Sequence, residues 1–140
     1  EDVKAEGLDK NFLFLPYPDK KNIPYSMTAC DVSLVSVSEG MESLVAPSKL
    51  YPALAAGRAI AVVCPKNTYL RELVLQADCG ISCSNGDSSS LASFIRLLAN
   101  EKRLVQNFGN ASRFYFENLF TANIIAQQYR NVFLKGSDSK

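Results

Sequence analysis

The chain contains no histidine, and that absence removes a wide range of chemistry. A Ser-His or Cys-His relay cannot be built from its residues. Acid–base work would fall to carboxylates, lysine or tyrosine. Cysteine is sparse as well: Cys30, Cys64, Cys79 and Cys83 are present, and no two of them form a CxxC pair. A structural zinc site calls for close-spaced ligand pairs. No metal site is expected, and the thiols read as buried and reduced, as in a cytoplasmic protein.

An excess of one charge is also missing. Fifteen basic residues face 14 acidic ones, leaving a formal net charge of +1. That balance supplies no field to attract nucleic acid or an acidic membrane. The basic pair Lys20 and Lys21 reads as a solvated turn. No apolar run approaches membrane-spanning length, and no stretch reads as a signal peptide. What remains is an ordinary soluble composition, 47% apolar and 21% charged over 140 residues. It suits one domain over residues 1–135 followed by a short polar tail, residues 136–140, that has no reason to be ordered.

A compact apolar stretch at residues 12–15 reads as a strand. The run at 32–37, broken only by the small Ser33 and Ser36, reads as a buried parallel strand. Residues 59–64 read as a third, apolar without alternation, and residues 80–83 as a fourth, short one. Between and after them lie helical spacings. Residues 1–6 read as the last turns of a helix closed by Gly7. Asn22 is a candidate cap for a short helix through Thr28, with Pro24 near its start and Ile23 and Met27 on its inner face. Residues 68–77 follow with Leu70, Leu73 and Val74 inward, then about 89–99 with Leu91, Phe94, Ile95 and Leu98 inward. Helices at about 101–117 and 121–134 close the chain, with Thr121 as a candidate cap. Ile124, Ile125, Tyr129, Val132 and Phe133 form the apolar stripe of the last. Strands alternating with helices predict an α/β fold, a parallel Rossmann-like sheet with helices on both faces.

In such sheets ligands sit at the carboxyl ends of strands, which draws attention to residues 39–58. A loop there runs from Glu39 through Pro47 and Ser48 into an alanine- and leucine-rich segment closed by Gly57. Ser48 is a candidate N-cap. Pro52 complicates the start, since it removes the donor that would close an α-type bond on the Ser48 carbonyl. The first turn is then 3-10, or the helix proper begins at Pro52. Strand, loop and helix start point backbone N–H groups at a bound anion, with Glu39 beside them to hold hydroxyls. An ordinary strand-to-helix connection without a ligand shares the same local pattern. Arg58, just past the helix end, suits its dipole. Tyr25 and Tyr51 read as half-buried, and Phe108, Phe114, Tyr115, Phe116 and Phe120 as helix packing.

Taken in order, NFLFLPY (11–17), ACDVSLV (29–35), EG (39–40) with VAPSKLY (45–51) and LAAGR (54–58), then DCG (78–80) and NGD (85–87), carry a family likeness. The chain resembles the C-terminal, donor-binding domain of GT-B glycosyltransferases of the family 4 (group 1) type. The resemblance covers nearly the whole chain and rests on order and spacing. It implies a nucleotide sugar as donor substrate, with no other cofactor. Glu39 takes the place of the acid that binds donor sugar hydroxyls. Gly40 and Met41 would offer backbone N–H groups to the sugar or its diphosphate. Ser48, Lys49 and Leu50 would meet the diphosphate and ribose, and Tyr17 and Pro18 would cradle the base.

The implied parent is a retaining enzyme that moves a hexose or related sugar to a hydroxyl acceptor. Pro52 stands where many members carry a second glutamate for the ribose. An N-terminal acceptor domain and an Arg/Lys pair for the diphosphate would precede Glu1, and strands would be missing between residues 12–15 and 32–37. The chain alone is therefore expected to be inactive. Its two separated strands would either pair directly or leave sheet edges for a homodimer to cover. A non-catalytic nucleotide-binding or assembly module, or a piece of a nucleotide-sugar epimerase of the same fold, are the alternatives.

Overall fold

The computed structural model describes residues 2–42, 44 and 47–137. A short helix α1 (Asp2–Ala5) ends before Gly7, which adopts a left-handed φ of 68°. A 3-10 turn (Asp9–Asn11) and an extended stretch lead to a second 3-10 turn (Lys20–Asn22) and helix α2 (Ile23–Thr28). Then come β1 (Val32–Ser36), α3 (Leu50–Ala55), β2 (Ala59–Val63), α4 (Tyr69–Ala77) and β3 (Gly80–Cys83). Helices α5 (Ser88–Asn100), α6 (Lys102–Leu119) and α7 (Ala122–Ser137) follow. Helix α7 continues past the expected end at residue 134, and residues 138–140 lie outside the described residues. No helix among the described residues is long and apolar enough to cross a membrane.

The three strands form one parallel sheet in the order β1-β2-β3, with Val32 opposite Ala59 and Ile60 opposite Gly80. Strand β2 is central, and its two-residue period divides the core. Ile60, Val62 and the following Cys64 pack with Leu50, Leu54, Leu70 and Val74 on one face. Ala59 and Ala61 meet Phe94 and Leu98 on the other. A strand covered on both faces has no use for polar residues, which is why this stretch reads as a continuous apolar run. The small Ala59 and Ala61 leave room for the rings of Phe94 and Phe108, whose centroids are 5.9 Å apart. The expected α/β fold is present, with helices on both faces of the sheet.

The first expected strand is absent. Residues 12–15 are extended, and the rings of Phe12 and Phe14 stack on one side with centroids 6.1 Å apart, as period-two geometry requires. Yet Leu13, Phe14 and Leu15 are 81%, 78% and 72% exposed, and the segment has no ladder partner among the described residues. Strand propensity is local, whereas a strand also needs a neighbour. Pro16 and Pro18, neither with an N–H, limit how far a ladder could run.

Elsewhere the inward residues of α4 are as expected, while Ile95 on α5 is exposed, as are Tyr25, Phe114 and the distal stripe of α7 (Tyr129, Val132, Phe133). Tyr51 is half-buried against Phe120, ring to edge at 5.0 Å.

All four cysteines are free thiols, and Cys64, Cys79 and Cys83 are buried. Burial pushes the Cys79 thiol up from its ordinary 9.0 to about 11, with the Ser112 hydroxyl pulling the other way. Below pH 9 folded and unfolded chains both keep this proton. As pH rises from 9 to 11 the unfolded chain releases it and the folded chain does not, so stability falls. The expected loss from this thiol is about 2–3 kcal/mol. Urea midpoints measured from pH 8 to 11 check it, with Cys79→Ala expected to decline less steeply. Parallel declines in both proteins would assign the loss to other groups.

Candidate functional site

The carboxyl end of β1 is fixed from two sides. The Val37 N–H donates to the Val63 carbonyl at 2.9 Å, and the Val37 carbonyl accepts from Asn85 Nδ2 at 2.9 Å. The chain then turns through Glu39 and Gly40, both exposed. The Gly40 N–H donates to Glu42 Oε1 at 3.1 Å, and the Met41 N–H donates to the Ser38 carbonyl at 3.2 Å. Both amides expected to face a donor thus have partners within the turn. Ser43, Val45 and Ala46 lie outside the described residues.

Ser48 is not the N-cap of α3. That position belongs to Lys49, whose side chain makes no capping bond. The Leu50 N–H donates to the Pro47 carbonyl at 3.1 Å, a 3-10 type closure, and the first α-type bond runs from Ala53 to Lys49 at 3.3 Å. Pro52 explains the shift: without an N–H it cannot close a bond on the Ser48 carbonyl, so the helix starts one residue later. The Leu50 side chain is wholly buried in the core. Arg58 behaves as expected past a helix end. Its Nε donates to the Ala56 carbonyl at 2.9 Å, and its Nη1 reaches the Thr28 and Cys30 carbonyls at 3.4 and 3.2 Å.

A groove of about 550 Å³ runs beside the free edge of β1 and brings four expected residues together. Tyr17 and Pro18 line it along with Ser48 and Lys49, and residues 32–35 of β1 form a wall. Ile23 and Met27, the inner face of α2, line it too, because α2 lays its apolar side toward the sheet. Glu39, Gly40, Met41 and Leu50 are not among its lining residues. Among the described residues Lys49 is the one charged residue that is, so the described lining combines an aromatic face, small hydroxyls and one ammonium. Such a set favours a flat ring carrying an anionic group.

Over 81 residues, 58% of this chain, the sequence is 35% identical to the probable glycosyltransferase WbjE of Pseudomonas aeruginosa. The chain is similar to part of a glycosyltransferase. The aligned residues amount to 20% of that protein's length. No protein-family model matches the sequence, and no solved structure matches it.

A second cavity, about 530 Å³, opens at the amino end of the strands, between the entries to β1 and β2 and helices α5 and α6. Asp31, Arg58, Lys102 and Asn110 line it, yet Arg58 already donates to three backbone carbonyls. Sequence reading missed Asn85 as the residue that ties the loop after β3 to the end of β1. An Asn-Gly-Asp run signals a turn, and nothing local tells which distant carbonyl the amide will reach.

Proposed function

We propose that the chain is the donor-binding part of a retaining glycosyltransferase and holds a nucleotide sugar in the groove beside β1. The observation that carries this reading is the meeting of Tyr17 and Pro18 with Ser48 and Lys49 across that groove. The likeness to a probable glycosyltransferase supports it. Tyr17, 88% exposed, offers a face to the base. Ser48 and Lys49 meet the diphosphate and ribose. Glu39 binds sugar hydroxyls, and the Gly40 amide reaches the donor by exchanging Glu42 for a ligand oxygen.

In the parent reaction the acceptor oxygen bonds to the anomeric carbon as the bond to the diphosphate breaks. The nucleoside diphosphate leaves with the electron pair, and the acceptor hydroxyl loses its proton. The Lys49 ammonium stabilises charge as it builds on the leaving group. The sugar is a hexose or a relative, the reaction needs no metal from this chain, and it takes place in the cytoplasm. An N-terminal acceptor domain is required, and this chain alone does not turn over.

Calorimetric titration with UDP, GDP and their sugar conjugates tests the site. Tyr17→Ala is expected to weaken nucleotide affinity about three- to tenfold, from a stacking contribution of ~0.5–1.5 kcal/mol. Lys49→Ala is expected to weaken it about two- to fivefold, from ~0.3–1 kcal/mol at an exposed helix start. Both side chains are exposed, so folding is untouched. Absence of binding by any of these nucleotides at millimolar concentration would sink the reading.

A non-catalytic nucleotide-binding or assembly module is the second reading. It is favoured by the engaged amides of Gly40 and Met41 and by the position of Glu39 outside the groove. The two readings part at Glu39→Ala. A selective loss of nucleotide-sugar affinity over plain nucleotide supports the transferase, and equal affinities support the module.

A further inference from the structure

The loop after β3 reaches across the end of the sheet to β1. Residues Ser84 to Asp87 form a tight turn, closed by the Asp87 N–H on the Ser84 carbonyl at 3.1 Å, with Gly86 left-handed at φ 81°. Its far end is anchored, because the Asp87 carboxylate caps α5, accepting from the Ser90 N–H at 3.1 Å and the Ser89 hydroxyl at 3.0 Å. From this turn Asn85 Nδ2 donates to the Val37 carbonyl at 2.9 Å, across 48 residues of sequence. A carbonyl only accepts, so the amide nitrogen is the end that meets Val37. Asn85 Oδ1 is buried with no partner among the described residues. A buried unpaired acceptor is costly, and the turn itself does not need one. The bond to Val37 is therefore what an asparagine at this position secures.

We propose that Asn85 is a positioning residue for the donor sugar: by fixing the Val37 carbonyl it sets where the Glu39 carboxylate can reach. The role rests on the reading of Glu39 as the group that binds sugar hydroxyls. Both backbone groups of Val37 are engaged, its N–H with Val63 and its carbonyl with Asn85, and its side chain is buried. Glu39 stands two residues beyond. The hydrogen bonds of the turn that follows, from the Gly40 N–H to Glu42 and from the Met41 N–H to Ser38, are local and move with it. Among the described residues, Val37 is thus the last hydrogen-bonded tie from this segment to another element before the turn. A carboxylate holds a hydroxyl over a span of only about 2.5–2.7 Å, so a base free to drift would blunt the grip.

Amide hydrogen exchange and calorimetry read this separately. In Asn85→Ala the amides of Val37, Gly40 and Met41 are expected to exchange about three- to tenfold faster than in the parent chain. Ser112→Ala is the control: it removes a bond of the same kind, from a side-chain donor to the Arg58 carbonyl, at the amino end of the sheet. It should lower the urea midpoint and leave those three amides unchanged, so a general loosening is recognised by its appearance in both variants. Asn85→Ala and the near-isosteric Asn85→Asp, whose ionised carboxylate has no donor, are expected to weaken nucleotide-sugar binding about three- to tenfold and to leave plain nucleotide binding unchanged. In a Glu39→Ala background, Asn85→Ala should cost nothing further, which a merely structural residue would not show. Unchanged exchange in Asn85→Ala overturns the proposal, whether or not a nucleotide binds. So does equal weakening of nucleotide and nucleotide sugar, or a full Asn85 effect that persists without the Glu39 carboxylate. If no nucleotide binds while exchange quickens, the donor-site reading fails and takes the sugar-positioning role with it, leaving Asn85 as an anchor of the turn alone.

Discussion

Gly80→Ala should bring the chain close to global unfolding. Gly80 opens β3 opposite Ile60 of the central strand, at φ +157°. A Cβ there would overlap the Ile60 carbonyl oxygen and lie 2.7 Å from the carbonyl carbon and 2.9 Å from the amide nitrogen. These are backbone atoms of a wholly buried residue, not the end of a side chain that can swing aside. Relief requires β3 to move away from β2, which strains the bond from the Ile60 N–H to the Cys79 carbonyl (2.9 Å) and the packing of Ala59 and Ala61 on Phe94. Overpacking of a side-chain site costs about 1–3 kcal/mol, and a collision with central backbone belongs above that range. Against a total of roughly 5–15 kcal/mol for a domain, a loss of at least about 3 kcal/mol is decisive.

Urea unfolding followed by circular dichroism measures this loss directly. Gly86→Ala is the control, because Gly86 has a φ of +81° with nothing near its missing Cβ. Its cost is the left-handed backbone alone, about 1–2 kcal/mol. If the two variants unfold at the same midpoint, the close approach at Gly80 is not what limits the sheet.

The same contrast between local and distant causes explains what the sequence made legible. The helices over residues 68–77, 89–99 and 101–117 follow from apolar spacing, since each one buries a stripe against a neighbour already implied by its period. Strand β2 follows from a run that only a doubly covered sheet can hide, whereas β1, expected to be buried, alternates and leaves Leu34 56% exposed. Residues 12–15 carry the same local signal and remain unpaired, because pairing depends on which strand lies alongside. The start of α3 was largely legible: Pro52 announced an irregular first turn and, by withholding a donor from the Ser48 carbonyl, accounts for the shift of the cap from Ser48 to Lys49.

Less legible still were the contacts between distant elements. The Ser112 hydroxyl, fully buried on α6, donates to the Arg58 carbonyl at 2.6 Å across 54 residues. Gly109 of the same helix lies so near Gly57 that a Cβ on it would sit 2.5 Å from the Gly57 carbonyl oxygen. Nothing in the spacing of α6 marks either residue. Tyr17 and Lys49 meet across the groove because α2 and α3 flank it, a juxtaposition that sequence order alone does not contain.

Leu50 joins stability and site in one residue. The family likeness placed it beside the ligand, yet its N–H is bonded to Pro47 and its side chain is fully buried among core residues that include Leu54, Val62 and Leu70. It acts as the peg that seats α3 and thereby holds Ser48 and Lys49 at the rim of the groove. Leu50→Ala leaves a cavity that its rigid neighbours only partly close, and the expected cost is about 2–5 kcal/mol. Leu50→Met keeps the volume and is expected to cost less than about 1.5 kcal/mol. If the residue serves the ligand only through α3, the methionine variant binds nucleotide as the parent chain does, while the alanine variant shows its defect in the urea midpoint. A methionine variant that is stable but weak in binding would instead place the Leu50 side chain in contact with the ligand. An alanine variant with an unchanged midpoint would remove Leu50 from the core.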